Sequence, residues 1–152
     1  QEAAVQLNLA TDLNMPAARA IELVRTTALL VHVAAPLQTF EPIDPPAFPI
    51  DWTTGAYLVR LRFLGLIPIG TQWIDISFPV DPQAPAGSFR LRDNGRGDIV
   101  SRWDHLIRIE PLDDNRCRYR DTVDIDAGVL TPFVCAFAWV FYRHRQRRWR
   151  AL

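Results

Sequence analysis

His105 and Asp121 are the residues of this chain best placed to move a proton, because the short turn sequence Asp113-Asp114-Asn115 separates the two alternating segments that carry them. His105 shares its parity with Ile99, Ser101, Trp103, Ile107 and Ile109, and Asp121 shares its own with Cys117, Tyr119, Val123 and Ile125. Same-parity residues of a strand lie on one face, so both belong to an apolar, inward side. A three-residue turn sets His105 opposite Asp121 or one pair away on that face; a four-residue turn would part them. In an apolar pocket the carboxylate would hold one imidazole nitrogen and raise the histidine's affinity for a proton, giving a general acid or base for enolisation or dehydration. The same two groups can instead satisfy one another as a buried polar pair, or orient the polar head of a ligand. All three readings stand at this point, and the last is the preferred functional one. Asp93 and Tyr119 are candidates to join the pair.

Other chemistries find little footing. All 17 basic residues other than histidine are arginines, so no side chain can form a Schiff base. His32, His105 and His144 fall in a helix, a strand and the last helix without paired spacing, so no metal set is expected. Cys117 and Cys135 lack CxxC spacing and read as free thiols, although sequence does not exclude their pairing. Walker, GxGxxG, GxSxG and HExxH patterns do not occur.

The 17 basic and 17 acidic residues cancel, so no whole-chain field favours nucleic acid or an anionic membrane. Arg143, Arg145, Arg147, Arg148 and Arg150 read as a solvated last stretch of helix, with phosphate, nucleic acid or anionic lipid as the alternative partner. The uncharged run Ala127 to Tyr142 holds 16 residues, short of the roughly 20 that a membrane span needs, so no stable insertion is expected. No charged segment followed by an apolar run opens the chain; no signal peptide is expected, and the cytoplasm is the expected location.

The elements that position these residues follow from periodicity. Val5, Leu7 and Leu9 alternate with polar residues as a first strand. Pro16 opens a short helix over PAARAIELV, and Thr26 or Thr27 caps a second, which Pro36 ends. From Pro36 to Trp52 five prolines predict an ordered loop, docked by Phe40, Phe48 and Trp52, that is a candidate lid. A strand meander follows: YLVRLRFL with Tyr57, Val59, Leu61 and Phe63 inward, the connection GLIPIG, TQWIDISF with Ile74 and Ile76 inward, and SFRLRD with Phe89 and Leu91 inward. NGRG at Asn94 to Gly97 reads as a tight turn before the longest strand, DIVSRWDHLIRIE, and the final strand runs to Asp126. Thr131-Pro132 opens one long C-terminal helix, with the threonine as its cap. The whole chain, residues 1–152, reads as a single domain.

This order resembles the helix-grip superfamily, also called START-like or SRPBCC, which includes polyketide cyclases and lipid carriers. The likeness rests on LGLIPIG at Leu64 to Gly70, WDH at Trp103 to His105, and DIDAGVLTP at Asp124 to Pro132 with FYRHRQRRW after it. It implies an α+β fold: a curved antiparallel sheet of six to seven strands around the long C-terminal helix, with two short helices after the first strand. An internal apolar cavity and no obligatory cofactor are implied with it. The ring-hydroxylating oxygenases of the superfamily hold iron with two histidines and a carboxylate, a pattern from which this chain departs. The expected ligand is a small hydrophobic molecule, and the expected contacts are Tyr57, Leu61, Phe63, Phe89, Trp103, His105, Tyr119, Asp121 and Trp139. Trp52 and Tyr142 are further aromatic candidates for the wall. A cyclase- or dehydratase-type enzyme using His105 and Asp121 is the alternative. A third reading, an interaction module, draws on the Arg-rich helix end and on Trp73, whose outward parity also makes a homodimer a candidate assembly.

Overall fold

A computed structural model describes residues 5–152. Seven strands form one sheet: β1 (Val5–Leu13), β2 (Gln38–Asp44), β3 (Gly55–Phe63), β4 (Ile67–Ser77), β5 (Phe89–Gly97), β6 (Arg102–Pro111) and β7 (Cys117–Asp126). They lie in the order β1-β7-β6-β5-β4-β3-β2, every neighbour antiparallel. Two short helices, α1 (Ala17–Val24) and α2 (Thr27–Ala34), follow β1; α3 (Thr131–Arg150) closes the chain. The expected α+β architecture is present, with the long last helix packed on β1, β7 and α2.

Register shifts between Pro42 and Asp44 and between Arg60 and Arg62 bend the β2–β3–β4 side of the sheet. Alternation fixes which side is buried: Tyr57, Val59 and Leu61 on β3, Ile74 and Ile76 on β4, and all five odd-numbered residues of β7 from Cys117 to Ile125 are buried. The long helix meets them with a stripe at Ala138, Phe141, Tyr142, Arg145, Gln146 and Trp149, the three- and four-residue spacing of a single helical face.

Four sequence expectations need correction. The Pro36–Trp52 stretch is not all loop, since Gln38–Asp44 pairs with β3; as an edge strand it tolerates Pro42. Its remainder is tied to the α1–α2 junction by Thr27 N to Ile50 O at 3.0 Å and Trp52 N to Arg25 O at 2.8 Å, which leaves no free lid. The NGRG segment continues β5, and the reversal comes at Asp98 to Ser101, where Gly97 N meets Val100 O at 2.8 Å. Its glycines serve close approach: a Cβ on Gly97 would stand 2.5 Å from Thr71 O, and one on Gly95 2.9 Å from Trp103 O. Ile99 and Ser101 therefore leave the β6 face for the turn. Finally, Thr131 does not cap α3; its hydroxyl accepts from Ala127 N at 2.9 Å and donates to Gly128 O at 2.7 Å, securing a 3-10 turn over Gly128–Leu130 ahead of the helix.

Candidate functional site

Between the sheet and α3 lies a cavity of about 340 Å³. Its wall is mostly aliphatic and aromatic, with Leu61, Ile74, Ile76, Leu91 and Ile107 from the sheet and Phe137 and Phe141 from the helix. At one end, exposed Leu130, Phe133 and Ile99 form a rim. At the other stand Asp93, His105, Arg145 and Trp149. Phe133 and Trp149 are separated by about four helical turns, so α3 spans the cavity's length.

The β6–β7 register pairs Ile107 with Asp121 and His105 with Val123, so the histidine sits one pair from the aspartate on the same face. Their side chains meet: His105 Nε2 is 2.6 Å from Asp121 Oδ1. Tyr119 donates its hydroxyl to the same oxygen at 2.9 Å, and Gln146 Nε2 donates to Oδ2 at 3.0 Å while also reaching Leu9 O at 3.0 Å. Asp121 is fully buried behind His105 and accepts from three side chains. With Nε2 donating to the carboxylate, a neutral imidazole keeps Nδ1 as an acceptor.

Burial decides the histidine's titration. Desolvation lowers its proton affinity, and the opposing pull of Asp121 does not restore it. Asp121 does pull that affinity upward, as the sequence led us to expect, but burial of the imidazole together with its partner outweighs the pull and the net shift is downward. The carboxyl of Asp93 moves the other way, pushed up to about 7 by burial, against a hydrogen bond from the Asp75 amide at 2.9 Å. Asp93 is half-buried, with the open part of its surface on the cavity. The β4–β5 ladder pairs Trp73 with Arg96 and Ile76 with Asp93 and skips the residues between. The Asp93 side chain takes up the amide freed by that gap. Burial likewise raises the Tyr142 and Tyr119 hydroxyls, which stay protonated. Tyr142 accepts from Trp103 Nε1 at 2.8 Å, and its ring lies 4.7 Å from that of His105.

Of the residues singled out in the sequence, Leu61, Phe63, Trp103 and His105 line the cavity, as do Trp52 and Tyr142. Tyr119 and Asp121 sit a layer behind His105. Tyr57 is buried against Trp52, ring centroids 5.1 Å apart, with its hydroxyl on Thr53 O. Phe89 packs on Phe78 outside the wall. Trp139 is 51% exposed on the outer side of α3, under Arg143, because the Ala138–Phe141–Tyr142 stripe turns it away. Trp73 is half-buried.

Arg145 and Gln146 were missed. Arg145 belongs to the run that reads as solvated, and Arg143, Arg147 and Arg150 are exposed as expected, but Arg145 is 6% exposed and faces the cavity. Its four-residue spacing from Phe141 and Trp149 was the available signal. Cys117 and Cys135 are both unpaired. Among the described residues no three His, Cys, Asp or Glu side chains gather as a metal set, and no helix is long and apolar enough to cross a membrane.

No family model matches the chain, and no curated protein matches it. Solved structures do. A START superfamily protein from Mycobacterium smegmatis aligns over 98% of this chain and 96% of its own, with TM-score 0.66 and 10% identity. The chain has the helix-grip fold. Norcoclaurine synthase from Thalictrum flavum, solved with dopamine and hydroxybenzaldehyde, aligns over 98% and 86% with TM-score 0.65 and 9% identity. The Zhui aromatase/cyclase of a Streptomyces species aligns over 84% and 70% with TM-score 0.55 and 17% identity. At these identities the likeness establishes the helix-grip architecture, and function must be argued from the site.

Proposed function

We propose that the protein binds and carries a small, mainly hydrophobic molecule in the cavity between sheet and α3, with His105 orienting its polar head and Asp121 holding His105 from behind. The observation that carries this reading is the cavity itself: about 340 Å³ of mostly apolar wall with its titratable side chains Asp93, His105 and Arg145 collected at one end, and Gln38, Thr71 and Gln72 as further polar lining. Ligand pockets run to roughly 300–1,000 Å³ and use a few placed polar groups for orientation, which matches this division. The two small aromatic molecules named with norcoclaurine synthase support a ligand of similar scale. Fluorescence titration with the neutral probe N-phenyl-1-naphthylamine tests it. Saturable one-to-one enhancement, weakened about tenfold or more by Leu61→Trp, is the expected result; a folded Leu61→Trp variant with unchanged affinity would count against this placement.

A second reading is an enzyme of the cyclase or dehydratase type. It is favoured by one observation, the 2.6 Å His105–Asp121 contact on the cavity wall, which leaves a neutral imidazole nitrogen able to accept a proton. The Zhui aromatase/cyclase among the structural neighbours lends analogy alone. His105→Asn separates the two readings: an enzyme loses turnover and its pH dependence while ligand binding survives, whereas full turnover in the variant excludes His105 as the acid or base.

A further inference from the structure

The inner end of the cavity holds a positive charge that the protein does not neutralise by direct contact. Arg145 is 6% exposed, lines the cavity, and has no carboxylate within ion-pair distance among the described residues. Its Nε has no hydrogen-bond partner. One turn further along the same face, Trp149 is fully buried, lines the same cavity, and its Nε1 also lacks a partner. Neither nitrogen presents surface to the cavity, but a guanidinium on a cavity wall with no carboxylate in contact is itself unusual, because buried arginines are ordinarily paired.

The nearby acids are engaged elsewhere. Asp121 has its two oxygens on His105, Tyr119 and Gln146, and Asp93 receives the Asp75 amide. Arg145 leans on the Tyr119 hydroxyl and on aromatic faces: its guanidinium lies 5.1 Å from the Tyr142 ring centroid and 5.6 Å from that of Phe141. Those contacts hold the cation in place and leave the outer edge of the guanidinium on the cavity wall. A planar guanidinium in a low-dielectric wall has the donor set for an oxyanion.

Building on the carrier reading above, we infer that the Arg145–Trp149 end of the cavity is a carboxylate-binding site, and that the ligand is an amphipathic acid inserted head first, its apolar body running along α3 toward Phe133. Such a ligand supplies the anionic contact that the guanidinium lacks among the described residues. A neutral ligand of the same shape leaves the guanidinium uncompensated and binds more weakly.

The experiment uses N-phenyl-1-naphthylamine as reporter and decanoate and 1-decanol as competitors, near pH 6.5, where decanoate is ionised and Asp93 is largely neutral. The wild-type protein should release the reporter at about tenfold less decanoate than decanol, a charge-assisted hydrogen bond's share of affinity. Arg145→Met, which keeps the chain's bulk, should erase that preference, weakening decanoate while decanol binds no more weakly than before. Should Arg145→Met fail to fold, Arg145→Gln keeps a polar group there without the charge and should likewise cost decanoate about tenfold without weakening decanol. Equal potency of the two competitors on wild-type protein, or a preference that persists in either folded variant, overturns the carboxylate site while leaving the carrier reading intact. Failure of the reporter itself to bind, together with no binding of either competitor by calorimetry, overturns the carrier reading and the carboxylate site with it.

Discussion

The two ends of α3 reverse the usual arrangement of a globular protein. Near its start, Phe133 is 75% exposed, and Leu130 and Ile99 beside it are about half so; near its end, Arg145, Gln146 and Trp149 are buried with His105 and Asp121. Apolar groups meet solvent where the cavity opens, and polar and charged groups are withdrawn from it where the cavity ends. Exposed apolar surface and buried charge both oppose folding. Their placement at opposite ends of one cavity fits a site that admits an apolar body and holds a polar head, and it separates the residues that stability depends on from those that govern access.

The largest effect should come from breaking the inner end. Asp121→Ala strips the acceptor from His105, Tyr119 and Gln146 at once and should cost about 3–5 kcal/mol, read as a large drop in the thermal midpoint. Asp121→Asn, which keeps one acceptor oxygen, should cost less.

Asp93 sharpens the contrast through pH. Its folded-state affinity for a proton exceeds its unfolded one, so its contribution is intact below about pH 4 and is lost as pH rises through about 7, by an upper bound of about 4 kcal/mol. His105 acts in the opposite sense: its lowered affinity makes the fold lose stability as pH falls below about 6.5. The two partly cancel in the wild-type profile. The difference between wild type and Asp93→Asn isolates the first, and that difference should grow as pH rises from 4 to 7.5. A flat difference would show that Asp93 is solvated as well in the fold as in the unfolded chain.

Midway along the cavity, Leu61→Trp should weaken ligand binding about tenfold and cost about 1–3 kcal/mol from overpacking, measured by reporter titration beside chemical denaturation. The smallest stability effect belongs to the rim. Phe133→Ser should change stability by no more than about 0.5 kcal/mol while altering the rates of ligand entry and exit in stopped-flow fluorescence. A destabilisation of several kcal/mol there would mean that the rim is core, and the contrast between the ends would fail.

The sequence made the architecture legible wherever a two-residue alternation ran unbroken. Strands β3, β6 and β7, and the shared face of His105 and Asp121, follow from parity and from the three-residue turn. It misled where one residue type serves two ends. The glycines of NGRG mark close backbone approach to Thr71 and Trp103 rather than a turn, and the prolines after Pro36 sit on an edge strand that does not need every amide. Arg145 was hidden by its neighbours. Four surrounding arginines suggest a solvated helix end, and only the spacing to Phe141 and Trp149 separates it from them. The loss of His105 basicity was beyond any pattern, because it depends on how completely the pair is removed from water.

The most direct test of the central claim is native mass spectrometry of gently purified protein, as isolated and after incubation with decanoate, beside a denatured control. One non-covalent ligand per chain is expected in at least the incubated sample, released on denaturation and reduced in Leu61→Trp. The bare chain mass in both native samples would contradict a cavity built to hold a ligand.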